Sequence, residues 1–370
     1  MCRCSPKWVW GVIGKVRIKL NSIKNPTKNP IDKSNNFGLL RLLFAYLVIL
    51  SHSPELLDGN AHRELLNRFT STLTFGVFAV DGFFLISGYL ICQSFVHSKT
   101  TVSYFFKRIL RIYPAFVVIW VVSLFIVVPL SGNGHLLASL DWQAWLRNLV
   151  KIAILSQPHI DGFAFNPHID PLNGSMWTIR YEFLCYLTIP LIALIGLNKR
   201  NVILLTALML GLNLYTRISG VDFKINTPFP LSLHLLTRLG FAFLVGICFY
   251  QFKDRIIWDK KISLACLLLV ALLIQNQLFA ELALISFGGY LMFNFAFNFK
   301  NTFTQSVGIK NDISYGVYLY AWPVQGLLIQ HYPAINPWLL SLVTIGIVSI
   351  LGFLSWRLIE KPFLNFKHKI

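Results

Sequence analysis

Apolar runs of about 20 residues, separated by short polar segments, recur along almost the whole chain. An α-helix needs about 20 apolar residues to cross ~30 Å of hydrocarbon, and it satisfies its backbone hydrogen bonds within that one segment. The pattern therefore predicts ten membrane-spanning helices, at about Phe37–Leu57, Leu73–Val96, Ile112–Leu130, Met176–Leu197, Val202–Ser219, Leu231–Gln251, Ile262–Leu278, Glu281–Phe299, Ile313–His331 and Pro337–Trp356.

Charged residues lie mainly in the polar segments between these runs. The 370 residues include 33 Lys and Arg but only 15 Asp and Glu, and the composition is 55% hydrophobic and 13% charged. That charged fraction is about half of what a soluble domain carries. Most Lys and Arg fall on one side of the predicted spans, which the positive-inside rule assigns to the cytoplasm. We therefore predict an all-α integral membrane protein of about ten transmembrane helices, with both termini cytoplasmic and no nucleic-acid partner.

The chain divides into a tail and one membrane domain. Residues 1–36 form a basic cytoplasmic N-terminal tail, and residues 37–370 form the ten-helix domain. Between residues 131 and 175, the segment DWQAWLRNLVKIAIL repeats apolar residues at helical intervals, which predicts an amphipathic helix in the outer headgroup region. Neither the six cysteines nor the His, Asp and Glu residues have the spacing of metal ligands, so we predict no metal site.

The first predicted span, in RLLFAYLVILSH, has an arginine near one end and a histidine at the other. Arg41 and His52 are separated by about 16 Å and three helical turns, so they share one face. In the next span, VDGFFLISGYL places Asp81 at a depth comparable to that of His52. A carboxylate bonded to one imidazole nitrogen prepares the other as a general base. Because ionisable groups inside spans are costly, we predict catalytic roles for His52 and Asp81.

Two arginines lie three residues apart in FFKRILRIYP, at the inner end of the second span. Arg108 and Arg111 are therefore neighbours on one helix face. Two interpretations are open. The pair follows the positive-inside rule, or it forms a phosphate clamp with Arg41, since guanidinium forks suit pyrophosphate oxygens.

The segment MWTIRYEFLCY opens the fourth span with polar and aromatic residues. Tryptophan at such a position usually anchors a helix at the membrane interface. Glu182 and Arg180 enter an apolar environment, which indicates function. We predict that Glu182 is catalytic, by orienting either the histidine or an acceptor, and that Trp177 and Arg180 bind substrate.

Near the end of the chain, SYGVYLYAWPV places Ser314, Tyr315 and Tyr318 within about one helical turn. We predict that these residues bind substrate, and that Ser314, Tyr315 or Trp177 stabilises an oxyanion. In the terminal RLIEKPF, Glu360 lies between two basic residues, which predicts a salt-bridged helix end.

Together and in this order, the six segments resemble the membrane acyltransferase 3 family, bacterial integral-membrane acyltransferases that O-acylate sugars and other exported molecules. The resemblance covers about residues 37–366. It implies an acyl-CoA donor, usually acetyl-CoA, that binds from the cytoplasm. It also implies an acceptor hydroxyl on a carbohydrate or lipid-linked glycan at the other face, and a multi-pass position in the bacterial cytoplasmic (inner) membrane.

By position, the resemblance makes His52 the catalytic base, Arg41 its motif partner, and Arg108 with Arg111 the contacts to the CoA phosphates. Many relatives have a histidine at position 321 or 322, where this chain has Ala-Trp, so catalysis here cannot depend on that group.

Several alternatives stay open at this point. An acyl-histidine intermediate is the alternative to direct attack of the acceptor on the thioester. A transporter or flippase of lipid-linked sugars, which would use the buried charges as substrate contacts, is the alternative function. A non-catalytic membrane scaffold would leave those charges without a role. The sequence does not identify the acceptor or the acyl chain length.

Overall fold

The computed structural model describes residues 35–366 except 167, 169, 170, 223 and 226–230, and without the side chains of 224 and 225. It is 77% helical. The long helices are α1 (Phe37–Asp58), α2 (Phe75–Val96), α3 (Thr101–Leu130), α4 (Trp142–Ala153), α5 (Trp177–Ile195), α6 (Lys199–Ser219), α7 (Leu233–Phe252), α8 (Lys260–Leu273), α9 (Ala280–Asn298), α10 (Ser314–His331) and α11 (Pro337–Asn365). The short elements are helical turns at Ala61–Arg63, Leu65–Thr70, His135–Ala138, Gly174–Met176 and Thr302–Ser306, and antiparallel strands β1 (Lys224–Ile225) and β2 (Leu231–Ser232).

Eight helices among the described residues are long and apolar enough to cross a membrane: α1, α2, α3, α5, α6, α7, α9 and α11. The other two predicted spans correspond to α8 and α10. Helix α8 has 14 residues, about 21 Å, which is shorter than the hydrocarbon layer. Helix α10 has 18 residues and is largely buried among its neighbours. The all-α membrane class is confirmed, whereas the count of ten spans and the cytoplasmic termini stay predictions.

Helix α3 begins eleven residues before the predicted span, at Thr101. The side chain of Thr100 accepts a hydrogen bond from the backbone N–H of Ser103 at 3.0 Å, which caps the helix and lets it start early. The segment FFKRILRIYP therefore lies inside a helix. Arg108 and Arg111 occupy its second and third turns, on a face that is directed into the protein.

The predicted amphipathic helix is confirmed as α4. Asp141 caps its start by accepting a hydrogen bond from the N–H of Ala144 at 2.6 Å. Trp142, Leu146 and Leu149 are exposed on one face, as a helix that lies on a lipid surface requires. The position of this helix relative to the bilayer stays a prediction.

Helices α2 and α7 cross with their backbones in contact at two glycines. A Cβ atom on Gly88 would lie 1.9 Å from the carbonyl oxygen of Phe243, and one on Gly246 would lie 2.1 Å from that of Leu85. Only glycine permits this approach. The contact fixes the rotation of α2, so that Asp81 faces α7 and the following turns of α2 face a cavity on its other side.

Candidate active site

A cavity of about 350 Å³ lies among α1, α2, α3, α5, α10 and α11. Its volume is within the usual range of small-molecule sites, about 300–1,000 Å³. Helix α2 contributes mainly apolar side chains, whereas α3, α5 and α10 contribute most of the polar ones. Seven of the eleven predicted site residues line this cavity: Arg41, Arg108, Arg111, Glu182, Ser314, Tyr315 and Tyr318.

Charged side chains gather at one end of the cavity, where Arg41, Arg108, Arg111 and Asp312 line it. We call these four residues, with Glu360 beside Arg111, the cavity cluster. Arg111 Nη2 donates to Asp312 Oδ2 at 2.7 Å, and Arg41 Nη2 lies 3.1 Å from the same oxygen. Asp312 is buried. Because its carboxylate contacts both guanidiniums, it holds Arg41 and Arg111 side by side.

The two carboxylates of the cavity cluster were not predicted as site residues. The hydroxyl of Ser314 donates to Asp312 Oδ1 at 2.7 Å, so this serine supports the carboxylate. Asp312 lies two residues before the start of helix α10, in a chain with only 15 acidic residues, and that scarcity was the available signal. The sequence pattern grouped Arg111 only with other arginines, because its carboxylate partners are distant in the chain.

The predicted salt bridge of Glu360 with its basic neighbours in the sequence is wrong. The helix passes through a π turn at Trp356–Glu360, and Glu360 is only 2% exposed. Its Oε2 lies 3.6 Å from Arg111 Nη1, whereas Arg357 and Lys361 form no ion pair with it within the described residues. Its Oε1 accepts a hydrogen bond from the hydroxyl of Ser355 at 3.3 Å.

Arg108 differs from the other two arginines because no described carboxylate lies within ion-pair distance of it. Its guanidinium carbon lies 5.9 Å from the ring centre of Tyr104 and 5.8 Å from that of Tyr186. Nη2 donates to the hydroxyl of Ser94 at 3.2 Å, and Nε is buried with no hydrogen-bond partner among the described residues. Arg108 therefore keeps unused donors beside the cavity.

Further polar groups continue from the cavity cluster along α5. Thr178, Glu182 and Tyr186 are four residues apart in turn, so they form a line on one helix face with about 6 Å between neighbours. Tyr186 donates its phenol to Glu182 Oε1, and Ser87 donates to the same oxygen at 3.4 Å. At the far end, the hydroxyls of Thr178 and Tyr318 share a hydrogen bond of 2.7 Å.

His52 lies just beyond this far end and does not line the cavity. Its ring packs edge-to-face against Trp322, with centroids 5.3 Å apart, and Trp322 is one helical turn beyond Tyr318 on α10. His52 Nδ1 lies 3.1 Å from Glu55 Oε2. The other nitrogen, Nε2, makes no hydrogen bond within the described residues, so its lone pair or proton is available.

The structure does not bring Asp81 to His52. Asp81 Oδ1 lies 2.9 Å from Arg238 Nη2 on α7, and Arg238 Nε lies 3.1 Å from Glu281 Oε2 on α9. Arg217 on α6 forms a further ion pair with Glu281. We call these four residues the paired network. The rotation of α2 explains the difference, because it directs Asp81 away from α1.

Trp177 and Arg180 also lie outside the cavity lining. The ring of Trp177 packs edge-to-face on Tyr181, with centroids 5.7 Å apart. Arg180 is 9% exposed, and its Nη2 donates to the hydroxyl of Ser156 in the loop before α5 at 2.8 Å. The predicted contacts of Trp177 and Arg180 with substrate stay predictions.

Comparison with known proteins identifies the family. A family model described as an acyltransferase domain, that of acyltransferase 3, matches residues 34–357. The chain belongs to the acyltransferase 3 family. An O-acetyl transferase of Shigella phage Sf6 is 32% identical over 358 residues, which cover 90% of this chain and 97% of that protein. Nodulation protein 10 of Rhizobium leguminosarum bv. viciae is 28% identical over 359 residues, which cover 90% of this chain and 94% of that protein. No solved structure matches.

Membership of the acyltransferase 3 family confirms the resemblance drawn from the six segments. It makes the chain a multi-pass membrane protein of an acyltransferase family, and it does not favour the flippase alternative. The match spans α1 to the start of the π turn in α11, so it includes His52 and every residue that lines the cavity except Leu364.

Proposed function

We propose that the protein is a membrane O-acyltransferase that moves an acyl group, an acetyl group in particular, from acyl-CoA to a hydroxyl of a carbohydrate or lipid-linked glycan. One observation carries this proposal. A single cavity has arginines at one end, and its other end lies one helical turn from the contact between Trp322 and His52. Family membership and the name of the phage relative support the reaction type.

The cavity cluster is the proposed site for the phosphates of CoA, and its end of the cavity is proposed to face the cytoplasm. Each guanidinium has five N–H donors, and Asp312 engages only one from Arg41 and one from Arg111. Nε of Arg41 and Nε of Arg108 are buried without hydrogen-bond partners among the described residues. Phosphate oxygens suit these donors because Arg–phosphate hydrogen bonds are charge-assisted.

The line of polar groups on α5 suits the pantetheine arm of the donor, which carries two amides and a hydroxyl. Glu182 and Thr178 offer acceptors at successive turns along that arm. About 16 Å of α1 separate Arg41 from His52, a distance that the extended arm can span. The thioester would then reach the contact between Tyr318 and Thr178, next to His52.

In the proposed reaction, His52 Nε2 removes the proton from the acceptor hydroxyl as its oxygen attacks the thioester carbonyl. The new C–O bond forms, the C–S bond breaks, and the imidazolium returns the proton to the leaving CoA thiolate. An acyl-histidine intermediate is the alternative route. It would require Nε2 itself to attack the carbonyl before the acceptor binds.

Tyr318 is the better candidate to stabilise the oxyanion. The hydroxyl of Ser314 already donates to Asp312, and that of Tyr315 donates to the carbonyl oxygen of Ile112 at 3.2 Å. Among the described residues, the hydroxyl of Tyr318 bonds only Thr178, and of these three side chains Tyr318 is nearest along α10 to the contact with His52. A donor placed at the developing negative charge contributes several kcal/mol to catalysis.

Turnover of labelled acetyl-CoA by the purified protein tests the proposal. We expect slow release of CoA, accelerated by an acceptor glycan that becomes labelled. His52→Ala should abolish both reactions without changing the thermal unfolding midpoint. His159→Ala is the matched control, because His159 also pairs with a carboxylate but lies on the exposed loop before α5. Undiminished turnover by His52→Ala would remove His52 from the reaction.

The acceptor class is tested separately in the host. Deletion of the protein should remove acetyl groups from a surface glycan, as measured by mass spectrometry of that glycan. Expression of the wild-type chain should restore them, and expression of His52→Ala should not. An unchanged glycan would contradict the proposed acceptor class while leaving donor turnover as an independent result.

A further inference from the structure

We propose that Glu55 is the carboxylate that orients His52 by bonding one of its ring nitrogens. The sequence predicted Asp81 for this role. The proposal rests on the proposed function of His52. It concerns a pair within one helix, since Glu55 follows His52 by three residues and the two side chains lie on the same face of α1.

The geometry of the pair suits a general base. Glu55 Oε2 lies 3.1 Å from His52 Nδ1, which leaves Nε2 without a hydrogen bond among the described residues. Trp322 packs edge-to-face against the imidazole from α10 and restricts the rotation of the ring. Two contacts therefore hold the imidazole, one at Nδ1 and one with the Trp322 ring, while Nε2 stays unbonded among the described residues.

The carboxylate has a chemical role at both stages of the reaction. Before transfer, it accepts the hydrogen of Nδ1–H and so places the lone pair on Nε2, where the acceptor hydroxyl needs it. After transfer, the negative charge stabilises the imidazolium until the proton passes to the CoA thiolate. Glu55 does not itself take the proton, as in other carboxylate–histidine pairs.

Asp81 cannot take this role without breaking the paired network. Its Oδ1 is already held by Arg238, and its helix face is directed to α7. Glu55 needs no such rearrangement, because its only described side-chain partner is His52.

A surface ion pair of the same type exists elsewhere and provides a matched control. His159 Nε2 lies 2.9 Å from Asp161 Oδ1, with side chains that are 63% and 84% exposed. In the pair on α1 the corresponding exposures are 27% for His52 and 48% for Glu55. The pair on α1 is thus more enclosed, and it lies beside the cavity rather than on an outer loop.

The decisive variant is Glu55→Gln, which keeps the shape of the side chain and removes its charge. We expect kcat for acetyl transfer to fall about 10- to 100-fold, because a part of the general-base contribution is lost. The KM for acetyl-CoA and the thermal unfolding midpoint should not change. Asp161→Asn should leave kcat and KM at their wild-type values.

A spectroscopic measurement separates positioning from a general structural effect. With ¹⁵N-labelled histidine, and the His52 signal assigned by its loss in His52→Ala, the wild-type neutral ring should carry its proton on Nδ1. Glu55→Gln should give a mixture of the two tautomers. A purely structural role for Glu55 would leave the tautomer unchanged.

Three outcomes overturn the inference: an unchanged kcat in Glu55→Gln, an effect confined to KM, or a loss as complete as that of His52→Ala, which would make Glu55 the base itself. Failure of the proposed function looks different. In that case the wild-type protein does not turn over acetyl-CoA, whatever tautomer His52 adopts.

Discussion

The cavity cluster and the paired network both place arginines beside carboxylates, but they differ in whether every arginine has a carboxylate partner. In the paired network, Arg238 contacts Asp81 and Glu281, and Arg217 contacts Glu281, so two positive and two negative charges balance. In the cavity cluster, Arg108 has no described carboxylate partner and lines a cavity.

This difference separates two uses of buried charge. In a charge-balanced group, the attraction between partners offsets part of the desolvation cost, and the ion pairs link the helices that carry them. An arginine with unbonded N–H donors beside a cavity has an uncompensated desolvation free energy, which an anionic ligand can offset by binding to those donors. The paired network joins α2, α6, α7 and α9, whereas the cavity cluster lies on the proposed path of the donor.

The largest expected effect comes from opening the paired network. Arg238→Met leaves the carboxylates of Asp81 and Glu281 buried with only Arg217 to compensate them. Removal of one partner of a buried ion pair costs about 3–5 kcal/mol. We expect a much lower thermal unfolding midpoint in detergent and a low yield. A wild-type midpoint would show that the network does not stabilise the fold.

The same substitution in the cavity cluster should affect binding instead of stability. Arg108→Met should raise the KM for acetyl-CoA about 10- to 100-fold, as expected from loss of a charge-assisted hydrogen bond of about 1.5–3 kcal/mol. The unfolding midpoint should stay near that of the wild type. S-acetyl-pantetheine, which has no phosphate, should show the same KM with both proteins. An equal rise for both donors would contradict a phosphate contact.

A double substitution tests whether Asp81 is structural or catalytic. Asp81→Asn combined with Arg238→Met leaves Arg217 and Glu281 as a neutral pair. The double variant should therefore recover about 0.5–3 kcal/mol of the stability lost in Arg238→Met, a typical coupling energy for contacting residues. It should also retain acetyl transfer. Complete loss of transfer in a well-folded double variant would return Asp81 to the catalytic residues.

The smallest expected effect concerns a neutral contact at the far end of the cavity. Thr178→Val removes the hydroxyl that bonds Tyr318 while keeping the side-chain shape. The free energy of unfolding should fall by about 0.5–1.5 kcal/mol. The KM for acetyl-CoA should rise by less than in Arg108→Met, because the pantetheine arm loses one neutral hydrogen-bond acceptor and no charged contact. Thr188→Val is the control, because Thr188 bonds only the carbonyl of Cys185 on its own helix. A rise in KM as large as that in Arg108→Met would place phosphate contacts farther along the cavity than proposed.

Much of the fold could be predicted, because the requirement for apolar helices applies to each segment alone. The predicted span Phe37–Leu57 ends one residue before the end of α1, and the predicted span Leu73–Val96 begins two residues before the start of α2. The start of α3 was missed because its first turns contain Lys107 and two arginines, which read as a loop, although Thr100 caps a helix there.

The candidate site was predictable where it depended on spacing within one helix. Arg108 and Arg111 share a face of α3 and line the cavity, as their three-residue spacing predicts. Glu55 had a comparable signal, since it is a carboxylate three residues after His52 in the same helix. The prediction instead paired His52 with Asp81 in the next span. For Asp312, the only feature visible in the sequence was its position just before α10. Its partners lie on α1 and α3, far away in the chain, so no short-range spacing pattern could reveal them.

The sequence by itself determined which segments are helices, which end of α1 carries Arg41, and which end carries His52. These are local properties, set by the cost of unsatisfied backbone in hydrocarbon and by the helical repeat. Only the tertiary structure decided that Asp81 pairs with Arg238, 157 residues away, and so does not compete with the local partner Glu55 for His52. The physical reason is rotation. The close contact between Gly88 and Gly246 turns α2, and no feature of one helix reveals which of its faces a neighbour will cover.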